Sequence, residues 1–109
     1  MEPQMSLSPI RLPLRRVKIS GNSMLPKFKD GRILLFQGAP KAGSDPHTLV
    51  GKIVLVVRDS YPGIFFIKRV TRVSDEGIWV EGDNLEASTD SRTWGFLQAH
   101  EIVAVAFRK

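Results

Sequence analysis

Three stretches of this chain carry residues that could do chemistry together. Ser20-Gly21-Asn22-Ser23-Met24-Leu25-Pro26 sets a small hydroxyl between a glycine and a proline, residue types that favour a tight turn from which one side chain projects. Ser23 is therefore a candidate nucleophile, and a serine hydroxyl attacks only when a neighbouring base takes its proton. Ile67-Lys68-Arg69-Val70 supplies a lysine inside an apolar run, and Glu81-Gly82-Asp83-Asn84-Leu85-Glu86-Ala87-Ser88-Thr89-Asp90-Ser91-Arg92 is dense in polar groups. Strand alternation puts Phe66, Lys68 and Val70 on one face and Phe65, Ile67 and Arg69 on the other. Desolvation among such neighbours favours the neutral amine. A lysine working as a base near pH 8 must be lowered from its usual value of about 10.4, and burial can do this. The alternative for Lys68 is a stem laid over apolar surface with its ammonium in water. His47 lies in a glycine- and proline-containing loop and His100 beside the last apolar run. Neither has an acidic residue at an informative spacing, and two histidines without a third ligand make a weak metal site. Neither is assigned a role.

The elements that must position these residues are short. Arg16-Val17-Lys18-Ile19 alternates at period two and runs into the serine turn, which places Ser23 just past a strand end. Asp30-Gly31 signals a turn, and Ile33-Leu34-Leu35-Phe36 reads as a strand buried on both faces. Residues 38–50 form a surface loop. Lys52 to Arg58 is β-branched, Asp59-Ser60-Tyr61-Pro62-Gly63 is a turn, and Ile64 to Val73 returns as the second arm of a hairpin. Ser74-Asp75-Glu76-Gly77 turns the chain into Ile78 to Glu81. A polar loop over residues 82–98 precedes a last strand from Glu101 to Phe107. About six short strands with hardly any helix predict an all-β fold, a single small barrel or curled sheet.

With 109 residues and 42% hydrophobic content, the chain suits one domain with its own core. The expected division is a flexible arm over 1–14, which holds three prolines and no periodicity, and a folded domain over 15–109. The absence of cysteine removes disulfides, thiolate metal sites and a cysteine nucleophile. No apolar run approaches the roughly 18 residues of a membrane-spanning helix, so a soluble protein is expected. The net charge of +5 favours acidic partners without deciding function.

At these residues the chain resembles the type I signal peptidase family of serine/lysine peptidases. Gly21-Asn22-Ser23-Met24-Leu25-Pro26 is similar to the family's nucleophile box, Lys68-Arg69-Val70 to its lysine box, and Gly82-Asp83-Asn84, Ser88, Asp90-Ser91-Arg92 and Trp94-Gly95 to its last box. The resemblance runs from about Val17 to Phe107. It implies a signal-peptidase-like β domain in which Ser23 is the nucleophile and Lys68 the general base. It further implies that Ser88 holds the lysine amine, that Asp90 and Arg92 brace the loop as an ion pair, and that Gly82, Asp83 and Asn84 shape the turn bringing Ser88 inward. The backbone N–H of Ser23 would be one oxyanion donor. Gly21 stands where many relatives carry a serine whose hydroxyl is the second, so here that donor would be a backbone group or water.

With no anchor expected in so short a chain, it resembles the soluble branch of the family that matures nickel-type superoxide dismutase. The function expected from it is removal of an N-terminal leader from a precursor protein, most simply the nickel superoxide dismutase precursor, in the cytoplasm. No cofactor, no metal, no nucleic acid and no membrane span are expected. One alternative is a leader peptidase acting on exported proteins while tethered by a partner. Another is a non-catalytic basic β-barrel that binds nucleic acid through Arg58, Lys68, Arg69 and Arg72.

Overall fold

The computed structural model describes residues 14–84, 86 and 88–107. The arm expected over 1–14 lies outside them except for Leu14, which is exposed. Six strands, β1 (Arg15–Lys18), β2 (Ile33–Gly38), β3 (Ile53–Val57), β4 (Phe65–Ser74), β5 (Gly77–Glu81) and β6 (Ile102–Ala106), form one sheet in the order β1-β2-β6-β3-β4-β5. Every neighbouring pair is antiparallel. The protein is thus all-β with little helix, as its short alternating runs predict.

β3 shows why the sheet has two apolar sides. Its alternate residues Ile53 and Leu55 join a cluster with Ile19, Met24, Phe28, Leu34 and Phe36. The intervening Val54 and Val56 join a second cluster with Val70, Ile78, Val80 and Leu97. A continuous β-branched run is what a strand buried on both faces requires, and each fully buried side chain of this size contributes about 1.5–3 kcal/mol. β2 does not follow the same pattern, which corrects the expectation for Ile33 to Phe36. Leu34 and Phe36 are buried, whereas Ile33 is 54% exposed. A four-residue apolar run cannot distinguish one buried face from two, and here β2 joins the terminal strand β1 to β6 with one side toward the core.

Short helical turns punctuate segments read as loops. Pro46–Leu49 is a 3-10 turn within residues 38–50, and its Leu49 side chain is buried. The single α-helical turn α1 (Ser91–Trp94) sits inside the polar stretch 82–98, with the Asp90 side chain accepting from the Arg92 N–H at its start. An acidic residue in that place satisfies an otherwise orphaned helix N–H.

Candidate active site

The serine turn is the connection between β1 and β2. Ile19 donates from its amide to Arg32 O (2.8 Å) and accepts at its carbonyl from the Gly31 amide (2.8 Å), which extends the strand pairing past Lys18. Gly21 has φ of +91°, a region that glycine enters without steric cost. Its N–H donates to Asp30 Oδ1 at 2.8 Å. Beyond Ser23 the chain turns inward, and Met24 and Phe28 are 0% and 2% exposed in the core. Ser23 itself is half-buried between these anchors. Neither its N–H nor its hydroxyl donates a hydrogen bond among the described residues.

Lys68 stands in the middle of β4, paired with Val54 of β3. It is 3% exposed, and the face shared with Val70 turns inward as alternation predicts. Burial lowers its pKa, Asp90 opposes that shift, and Arg92 adds to it. Its Nζ donates to Ser88 Oγ at 2.9 Å.

The polar stretch after β5 supplies the acceptors. Ser88 Oγ donates to Asp90 Oδ2 at 2.7 Å, and the Gly82 amide donates to both Ser88 Oγ (3.1 Å) and Asp90 Oδ2 (2.8 Å). Asp90 is fully buried. Burial alone would raise its pKa, but hydrogen bonds from Arg92, Ser88 and the amides of Gly82 and Arg92 hold the carboxyl well below the usual range. Arg92 Nε donates to Asp90 Oδ1 at 2.9 Å. The Ser91 hydroxyl accepts from Val80 N–H at 2.9 Å, tying α1 to β5.

The direction of these bonds follows from Asp90. An ionised carboxylate only accepts, so Ser88 must donate to it. Lys68 must then donate to Ser88, and a neutral Lys68 keeps its lone pair for a different partner. Ser23 and Lys68 line one cleft of about 310 Å³, bounded by Val17, Ile19 and Ser20 on one side and by Phe65 and Ile67 on the other. Within it the lysine is hydrogen-bonded to Ser88, with no bond from Ser23 to Lys68 among the described residues. Nucleophile and base in an unliganded site commonly stand further apart than in the reacting complex.

Three partners were not read from the sequence. Asp30 binds the Gly21 amide, so Gly21 contributes a turn and its N–H is already engaged. Arg69 holds Asp83 with two hydrogen bonds of 2.9 Å and Gly51 O with a third of 2.8 Å. This clamps the lysine strand to the polar loop, and the adjacency of Lys68 and Arg69 was its only sequence signal. Asn84, expected to shape the turn before Ser88, also reaches the serine turn. Gly82 explains the close fit of these loops: an added Cβ would clash with Ser88 Oγ and lie 2.8 Å from Ser23 O.

His47 does have an acidic neighbour: its Nδ1 lies 2.9 Å from Asp45 Oδ1, and both side chains are mostly exposed. Neither borders the cleft. The four cations of the basic-hairpin alternative are each engaged internally. Arg58 pairs with Glu101, Lys68 with Ser88, Arg69 with Asp83, and Arg72 stacks over Trp79 with its guanidinium carbon 4.3 Å from the ring centroid.

No helix among the described residues is long and apolar enough to cross a membrane, and no group of three or more potential metal-ligating side chains occurs among them. No curated protein matches the chain. Residues 71–108 match the family model described as signal peptidase, peptidase S26, a span that takes in the Gly82-to-Arg92 stretch and stops short of Lys68 and Ser23. Over that span the chain is similar to the signal peptidases, which supports a signal-peptidase-like serine peptidase.

Proposed function

We propose that the protein is a serine endopeptidase that uses Ser23 as nucleophile and Lys68 as general base to cut a leader segment from a precursor protein. The observation that carries this reading is the buried Lys68 amine, which lines the same cleft as Ser23 and donates to a Ser88 hydroxyl already committed to Asp90. An amine held as a donor on one side and lowered in pKa by burial has its lone pair free for a serine proton. In the acylation step Ser23 Oγ bonds to the scissile carbonyl carbon and its proton passes to Lys68 Nζ. The negative charge on the carbonyl oxygen falls to the Ser23 N–H. Lys68 returns the proton to the departing amine as the C–N bond breaks, then takes a proton from the water that hydrolyses the acyl-enzyme.

The borders of the cleft suit an extended peptide. Among the described residues, β1 pairs only with β2, and the Phe65–Lys68 part of β4 pairs only with β3. Both edges offer backbone groups to an added strand. The substrate to try first is the nickel-type superoxide dismutase precursor, acted on in the cytoplasm.

Mass spectrometry of that precursor after incubation with the protein, and with Ser23→Ala and Lys68→Ala, tests the proposal. A single cut that is absent with both variants is the expected result. An intact precursor beside well-folded enzyme removes the dismutase from the proposal, and leader peptides of exported proteins become the next substrates. Cleavage that survives both substitutions overturns the dyad.

A further inference from the structure

Asn84 follows the Gly82-Asp83 turn and reaches the serine turn with both of its nitrogens. Its amide donates to Ser23 O at 2.7 Å, and its Nδ2 donates to Asn22 O at 3.0 Å. The Leu25 amide reaches the same Asn22 oxygen at 3.2 Å. A trans peptide unit is planar, with its C=O and N–H pointing in opposite directions, and the Asn22–Ser23 bond is trans. Holding Asn22 O therefore aims the N–H of that same unit, which belongs to Ser23, away from Asn84.

That N–H donates to nothing among the described residues, and Ser23 borders the cleft. The neighbouring Gly21 amide cannot replace it, being bonded to Asp30. The orientation of one peptide plane thus rests on a side chain 62 residues further along together with the local Leu25 amide.

We propose that Asn84 is the positioning residue that aims the Ser23 N–H at the oxyanion formed during acyl transfer; this rests on the Ser23/Lys68 reading. The contact runs to the nucleophile turn, so Asn84 acts on stabilisation of the charged intermediate and leaves the base untouched. Lys68 answers to Ser88 and Asp90, neither of which hydrogen-bonds Asn84.

The test begins without substrate. Backbone 15N relaxation is measured for the whole chain and for Asn84→Ala and Asn84→Asp; the second variant is nearly isosteric and keeps the test available if the first does not fold. The expected result is a fall in the Ser23 N–H order parameter from about 0.85 toward about 0.6, with the amides of Lys68 and Val70 unchanged. An unchanged Ser23 value in a folded variant overturns the proposal whatever the substrate is. On a precursor that the wild type cleaves, kcat should fall by about 10–100-fold, with KM and the pH midpoint held. A loss confined to KM, or a shifted midpoint, also overturns it. Cleavage retained by Ser23→Ala would defeat the dyad instead, and the relaxation result would stand separately.

Discussion

The loop between β1 and β2 is anchored by two buried apolar side chains, Met24 and Phe28, and by hydrogen bonds of its backbone with Asp30 and Asn84, whereas the loop after β5 is held at its centre by a buried charge, Asp90. The first leaves the proposed nucleophile unengaged: Ser23 keeps both its hydroxyl and its N–H without a partner among the described residues. The second is tied together at its centre, since Asp90 accepts from Ser88, Arg92 and the amides of Gly82 and Arg92. A nucleophile must be free to move its proton, and hydrophobic contact fixes a backbone without occupying polar atoms. A lysine lone pair must be aimed, and only directional bonds do that.

Breaking the charged centre should have the largest effect. Asp90→Asn leaves Arg92 without its counter-charge and puts an N–H₂ where donors converge. Removing one partner of a buried pair costs about 3–5 kcal/mol, to be read as a lowered urea midpoint. Breaking the apolar flank comes next: Met24→Ala should cost about 2–5 kcal/mol through the cavity it opens, measured in the same way. If this variant, corrected for its folded fraction, kept full kcat, the view that core packing holds the serine turn would fail.

Gly82 lies where the two loops touch. Gly82→Ala should cost about 1–3 kcal/mol in stability from overpacking, while its activity falls further than its folded fraction, because Ser23 O and Ser88 Oγ must both give way. Equal losses would mean that the two loops are energetically independent.

The smallest expected change has the opposite sign. Lys68 has a depressed pKa in the fold, so the unfolded chain binds the extra proton between the folded and unfolded values, and stability rises with pH across that window. At neutral pH the fold carries the cost of the buried amine. Lys68→Met should therefore raise Tm slightly near pH 7, with the gain shrinking toward pH 10. Wild-type kcat should rise with pH through a midpoint below the ordinary lysine value.

How much of this was legible depends on range. Alternation along β4 reveals that Lys68 faces inward with Val70, because a period of two is a local property. Gly21, Asp30-Gly31 and Asp59 to Gly63 mark turns for equally local reasons. The resemblance of the polar stretch to a family box anticipated the Ser88, Asp90 and Arg92 contacts. The grip of Asn84 on Asn22, the Arg69–Asp83 clamp and the one-sided burial of β2 were not legible. Each depends on which strands become neighbours, and periodicity does not encode strand order. Asp90 before Ser91 was a readable helix-start signal, but a helix of one turn has no periodicity to support it.

The position of β6 has a consequence for how the protein comes into being. It is the strand that joins the β1–β2 pair to the β3–β4–β5 meander, so the serine and the lysine belong to separate halves until it arrives. During synthesis, residues 15–81 can form their hairpins while the two halves remain unstitched, because joining them is a long-range closure. A chain emerging from the ribosome therefore carries Ser23 and Lys68 in two halves of the sheet that β6 has yet to join.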